Sequence, residues 1–418
     1  MSTTSAGPTL SAEPPTDAYG APFWFTYANN TCLMVAASLL FRYADFVTLI
    51  GGTERDLGWI VGVGMVGSLL MRLAQGVGID RYGPRRIWLW SVGLFTLSCA
   101  LHPWVERPDG VFIYVLRILF ATSIAGAFGS SITYIARRVS VPRMAEIVGT
   151  LGTSGFIGMV AGTYLGDLIC GNGKGSPDRG QVNLLFIAAT ALGVLALIFG
   201  ILATQGQVRP IRRRKPHVLW LVRRYQPGTV LLMGVAMGFG LGLPGIFLRP
   251  FTAALGFSSI APFFLLYSTT AFITRLSIRR LPERIGIRPM IYWGMASLIG
   301  SMLAYLPVEH WWHLAPSAVL VGIAHATLFP AVVAGGSGAF PSRHRGIGTT
   351  LMLGTFDLGS LVGAPAIGNI LHYAGRWGLR PYPTMFICVA TMLTIATLVF
   401  AATRGTSKRG RDASIKIA

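Results

Sequence analysis

The sequence predicts an all-α polytopic membrane protein, with twelve transmembrane helices in two pseudo-symmetric six-helix bundles. Three observations lead there. Only 12% of the 418 residues are charged and 52% are apolar, whereas a soluble globular chain carries about 25% charged residues. The apolar residues fall into twelve runs, each near the roughly 20 residues needed to cross a bilayer. A stretch in the first half of the chain also recurs in the second. With 23 Phe, 10 Trp and 13 Tyr the chain is no disordered polymer, and the shortage of charge excludes an ordinary water-soluble enzyme.

Residues 1–21 are rich in Ser, Thr, Pro and Ala and contain no Lys or Arg. They predict a disordered tail rather than a cleaved signal peptide. The first bundle spans 22–203, with runs near 22–50, 57–79, 86–104, 110–135, 144–170 and 182–203. A basic linker, 204–227, carries Arg209, Arg212, Arg213, Arg214, Lys215, Arg223 and Arg224. The second bundle spans 228–403, with runs near 228–250, 259–281, 287–307, 314–336, 345–371 and 382–403, and a basic tail, 404–418, follows.

The net charge of +20 reports topology, because basic residues cluster between the runs. A cytoplasmic N-terminus puts 24 of the 35 Lys and Arg on the cytoplasmic side. Six (Arg55, Arg107, Lys174, Arg179, Arg376, Arg380) then lie outside and five within spans. The positive-inside rule therefore predicts an inner, cytoplasmic-membrane protein with both termini cytoplasmic, and nucleic acid is not implied as a partner. Cys32, Cys99, Cys170 and Cys388 are scattered without a C-x-x-C, so neither a metal site nor a disulfide framework is indicated.

The repeat pairs RLAQGVGIDRYGPRR (72–86) with RLSIRRLPERIGIRP (275–289). Arg72, Leu73, Arg81, Gly83 and Arg85 face Arg275, Leu276, Arg284, Gly286 and Arg288, and Asp80 faces Glu283. Both copies fall at the cytoplasmic end of the second span of a half. Two parallel six-span repeats are an arrangement found in secondary transporters that bind substrate at the repeat interface. An acid at a helix end can latch onto neighbouring arginines, so Asp80, Arg81, Gly83, Arg85, Glu283, Arg284 and Arg288 are the gating candidates. The bland alternative is that these arginines only enforce topology.

Gly76, Asp80, Arg81, Gly83, Arg85 and Arg86 resemble the signature after span two of the major facilitator superfamily. Glu283, Arg284, Gly286 and Arg288 are similar to its weaker second copy, and Arg117 matches an arginine often found in span four. Stretches 322–332, 341–350 and 355–368 resemble its arabinose-efflux-permease-like group, a label that carries no evidence for arabinose. The resemblance implies secondary active transport by alternating access, with a proton as coupling ion and export slightly favoured. Span five has no Gly-Pro pair, which speaks against a drug/proton antiporter.

Arg72 and Arg275 are the substrate-binding candidates. Each lies about 12 Å of helix before its acid, a depth at which a charge faces a cavity or a partner. Two such arginines can clamp an anion, or they can brace the fold, with Asp357 as a partner. Nitrate/nitrite transporters of the superfamily carry arginines at this spacing, although their Gly-rich signature in spans five and eleven is missing. Asp45, Arg42, Arg249, Arg117, His325 and Asp357 are the coupling candidates. Asp45 lies three residues after Arg42, on the same helix face, and can carry a proton or join a salt-bridge gate. His325 can shuttle a proton or be a hydrogen-bonded core histidine. The glycines of span five, Gly149 to Gly166, predict close helix packing.

No P-loop, catalytic triad or HExxH is present, so the sequence points to no enzyme and no cofactor. The expected partners are a small-molecule substrate, anionic or amphipathic, a proton and the bilayer, around a monomer. A nitrate- or organic-anion-type uptake or exchange carrier is the alternative, and a non-transporting membrane sensor on the same fold is the rival of another class.

Overall fold

The first apolar run does not make one unbroken helix. α1 (Ala21–Leu39) passes through a tight 3₁₀ turn (Leu40–Arg42) into α2 (Tyr43–Leu49), and the turn sits where Arg42 is buried. The computed structural model describes residues 19–139, 143–171, 177–205, 218–278 and 281–403. The N-terminal tail, most of the basic linker and the C-terminal tail expected from the sequence lie outside these residues.

α3 (Glu54–Tyr82) opens on a capping box: the Thr53 hydroxyl accepts from the Asp56 N–H, and the Asp56 carboxylate accepts from the Thr53 N–H. That exchange satisfies two orphan donors of the first turn. α4 (Pro84–Leu101), α5 (Val111–Ala136) and α6 (Met144–Cys170) follow. α7 (Arg179–Ala203) begins on a second box, Asp178 with Gln181. A short amphipathic helix, α8 (Val218–Tyr225), precedes the second set.

There the first span is broken again, into α9 (Val230–Leu241) and α10 (Leu243–Ala254) around Gly242. Then come α11 (Ala261–Ser277), α12 (Leu281–Ile285), α13 (Ile287–Leu303), α14 (Leu314–Ser337), α15 (Arg345–Arg376) and α16 (Pro381–Ala402). The twelve crossings coincide with the twelve apolar runs. Eight of them are long and apolar enough to cross a membrane by length and composition alone. α4, α6, α11 and α13 make up the rest. α11 and α13 have only 17 residues each, and α4 carries Arg85 and Arg86 in its first turn.

Within the first bundle α1 packs on α6 and α7, and α5 lies between α3 and α4. In the second, α15 packs on α9, and α14 on α11 and α13. Glycines make equivalent seams in the two. A Cβ at Gly162 would overlap the Val35 carbonyl of α1, and one at Gly359 would overlap the Val235 carbonyl of α9. Small residues allow this approach where apolar lipid gives no hydrophobic drive to helix association. The bundles meet along α3 with α15, along α6 with α11, and where α10 touches α2 and its preceding turn. An even number of crossings brings Ala21 and Ala402 to one face, here the tail face.

Candidate functional site

Arg72 lies about 15 Å before the end of α3 at 1.5 Å per residue, and a charge at that depth needs a partner. Its partner is Asp357 of α15, in the other bundle. The Arg72 Nε donates to Asp357 Oδ2, and Nη2 donates to Oδ1 at 3.3 Å. The Ser68 hydroxyl, one turn earlier on α3, donates to the same Oδ2 at 2.6 Å. Asp357 is 6% exposed and Arg72 17%, so this is an interior tie between the bundles and Asp357 has its acceptor sites occupied.

Arg275 is placed differently from its counterpart. α11 ends at Ser277, so Arg275 stands in the last turn of its helix, where a cation complements the helix dipole. It has no carboxylate among the described residues. Its guanidinium carbon lies 5.2 Å from the ring centre of Phe156, on α6 of the other bundle. Its Nε is buried and has no hydrogen-bond partner among the described residues. Nearby, the Tyr267 hydroxyl and His325 Nδ1 are 2.6 Å apart. The His325 ring packs edge-on against Phe156 at 5.8 Å and Phe329 at 5.7 Å.

On the face opposite the tails, the coupling candidates gather into one cluster. The Arg249 Nε donates to both oxygens of Asp45, at 2.8 and 2.9 Å, and Arg42 Nη1 donates to Asp45 at 3.0 Å. Arg42 also donates through Nε to Asp167 Oδ1 at 2.9 Å and through Nη2 to the Ser258 carbonyl. Asp167, on α6, is a residue the sequence reading missed. Its Oδ2 accepts from the Ser259 hydroxyl at 2.5 Å and from the backbone N–H groups of Ile260 at 2.9 Å and Ala261 at 2.7 Å. A carboxylate of one bundle thus caps the first turn of α11 in the other, a favourable place for negative charge. The available signal was a lone acid near the end of an apolar run.

Arg117 of α5 is buried, stacked 4.4 Å from the Tyr43 ring centre and 4.6 Å from that of Phe120, and among the described residues it has no carboxylate and its Nη1 no partner. The repeated signature ends each second span in the same backbone shape. Gly83 has φ 82° and Gly286 φ 86°, a left-handed conformation that a Cβ disfavours. Among the gating candidates, Arg81 lies over the Tyr82 ring at 5.3 Å. Arg85 is half-buried and Arg284 exposed. Arg288 donates to the Phe400 and Thr403 carbonyls at 3.0 Å, closing the end of α16. The side chains of Asp80 and Glu283 lie outside the described residues.

This architecture has many counterparts among solved structures. The nucleoside transporter NupG superposes with a TM-score of 0.74 at 12% identity, covering 92% of this chain and 98% of that one. A D-xylose-proton symporter gives 0.73 at 14%, covering 93% and 98%. Among relatives by sequence, the probable nitrate/nitrite antiporter NarK1 of Thermus thermophilus is 25% identical over 304 residues, 66% of this chain and 65% of that one. The probable chloroplastic anion transporter 3 of Arabidopsis thaliana is 27% identical over 121 residues, 29% and 23% of the two chains. A putative tartrate transporter of Agrobacterium vitis is 29% identical over 152 residues, 35% and 33%. These last two matches span a third or less of the relatives' own length. The family model of the Major Facilitator Superfamily matches residues 23–312, more than half of the chain. With twelve crossings in two bundles and the doubled turn at Gly83 and Gly286, the chain belongs to the Major Facilitator Superfamily of membrane transporters.

Proposed function

We propose that the protein is a secondary active transporter of small anions, working by alternating access with a proton as coupling ion. The charge balance of the membrane interior carries this reading. Five arginines (Arg42, Arg72, Arg117, Arg249, Arg275) stand within the spans against three aspartates (Asp45, Asp167, Asp357). The aspartates are all held by Arg42, Arg72 or Arg249. Among the described residues Arg117 and Arg275 are left without a carboxylate, and of these Arg275 stands at the junction of the bundles, against Phe156. An unpaired interior charge is costly, and an anionic substrate supplies the missing partner. The printed names of three relatives, an anion transporter, a nitrate/nitrite antiporter and a tartrate transporter, support the same substrate class.

The tail face is read as cytoplasmic, from the Lys and Arg distribution. The opposite face is then the outer one, closed by the cluster of Asp45, Asp167, Arg42 and Arg249. In this state Asp45 is held by two arginines. When Arg249 moves away with its bundle, Asp45 keeps Arg42 alone, and its weaker hold on the charged form lets it take a coupling proton. Asp80 and Glu283, near the ends of α3 and α12, act as the latch of the other state.

The test is flux into proteoliposomes across a panel of small anions and neutral solutes, with and without a pH gradient. Saturable anion flux is expected, driven by the gradient and lowered at least about tenfold by Arg275→Gln, since a charge-assisted hydrogen bond is worth roughly 1.5–3 kcal/mol. Flux of neutral solutes alone, indifferent to Arg275→Gln, would overturn the reading.

A further inference from the structure

Beside Arg275 the rings continue in a run that no ion pair accounts for. Phe156 of α6 meets His325 of α14, which meets Phe329 one turn on, and Phe329 meets Phe356 of α15 at 6.4 Å between centres. Three helices from both bundles contribute, and His325, Phe329 and Phe356 each remain partly exposed. The polar groups among these rings are of one kind. Arg275 offers a buried N–H with no acceptor. The Tyr267 hydroxyl is buried and has His325 Nδ1 as its one partner, so it donates there, because an unsatisfied buried donor is costly. The imidazole then carries its proton on Nε2, for which no partner exists among the described residues. Two donors and one positive charge therefore sit on an aromatic surface. The acid closest in sequence to this wall, Asp357 beside Phe356, is occupied by Arg72 and Ser68.

We infer that the preferred substrate is a monocarboxylate with a flat apolar body, of which benzoate is the simplest. This deepens the anion reading and rests on it. The carboxylate takes Arg275 and the His325 Nε2–H, and the ring lies along Phe156, Phe329 and Phe356, where offset or edge-on contacts between aromatic groups are favourable. An inorganic oxyanion would leave the aromatic surface unused. An amino acid would bring an ammonium group that finds no free carboxylate among the described residues, and a sugar would bring no charge to answer Arg275. The Phe156 ring is also already engaged by the guanidinium, which orients the charge toward a ligand that stacks on the same wall.

Calorimetric titration of the purified protein with benzoate, acetate, nitrate, phenylalanine and the neutral isostere benzamide tests this. Benzoate is expected to bind about tenfold or more tighter than acetate, with neither phenylalanine nor benzamide competing. Phe156→Leu, or Phe329→Leu where that variant does not fold, should shrink the benzoate-to-acetate ratio several-fold, and Phe156→Tyr should restore it. A ratio near one in the unmodified protein, or one untouched by the leucine variants, overturns the aromatic preference. If acetate and nitrate still bind in an Arg275-dependent way, the anion reading stands without it. If no anion binds at all, both fall together.

Discussion

At the scale of single residues, the arginine at position 72 is a tie between the bundles, and the one at 275 has no carboxylate among the described residues. The repeat makes them equivalent, and the interior separates them because, among the described residues, only α15 brings a carboxylate within reach, and it reaches Arg72. Removing one member of a buried pair strands the other charge, a loss of about 3–5 kcal/mol when burial is complete. Arg72 is 17% exposed, so a smaller cost is expected. Asp357→Asn should therefore lower the melting temperature in detergent, and Arg72→Gln in the same chain should recover most of the loss. Additive losses in the double variant would show that the two groups do not act as a pair. The sequence made Arg72, Arg275 and Asp357 visible because charge is scarce within apolar runs. It left Asp167 unweighed, because three of its four donors are backbone N–H groups or a serine from the other bundle, and no spacing marks them.

At the scale of elements, the doubled signature is legible as a turn before it is legible as a gate. Gly83 links α3 to α4 and Gly286 leads into α13 with nearly the same dihedrals, φ 82° and 86°, ψ 156° and 171°. The surrounding side chains differ, and Arg288 is spent on the carbonyls at the end of α16. Apolar run lengths and these glycines were enough to place the spans. The breaks at 40–42 and at Gly242 were not legible, because the runs stay apolar across them. An alanine at either glycine forces a Cβ into a positive-φ extended backbone that is essentially glycine's alone, costing roughly 1–3 kcal/mol. Gly83→Ala and Gly286→Ala should therefore lower the melting temperature by similar amounts, each by a few degrees. A Cβ at Gly286 meets no atom within 4 Å, so any loss there comes from the backbone alone. Full stability of Gly286→Ala would remove the conformational argument for the repeat.

At the scale of the whole molecule, the closure of the face opposite the tails depends on charges shared across the two bundles. The first bundle provides Arg42, Asp45 and Asp167, and the second provides Arg249, the Ser258 carbonyl and the first turn of α11. Opening that face separates Asp167 from three donors at once, while its bond to Arg42 stays within its own bundle and survives. The cap therefore acts on the equilibrium between states more than on the fold of either half. Hydrogen bonds to a charged group are worth roughly 1.5–3 kcal/mol each. Neutralising Asp167 should then move the balance toward the state open at that face by about ten- to a hundredfold. Spin labels on cysteines placed at Thr48, in the last turn of α2, and at Leu255, just past α10, read this directly. In Asp167→Asn their distance distribution should shift to longer values, while the melting temperature changes little because Arg42 keeps Asp45. An unshifted distribution in a folded Asp167→Asn protein would mean that Asp45 with Arg249 closes the face alone, and Arg249→Gln should then produce the opening that Asp167→Asn did not.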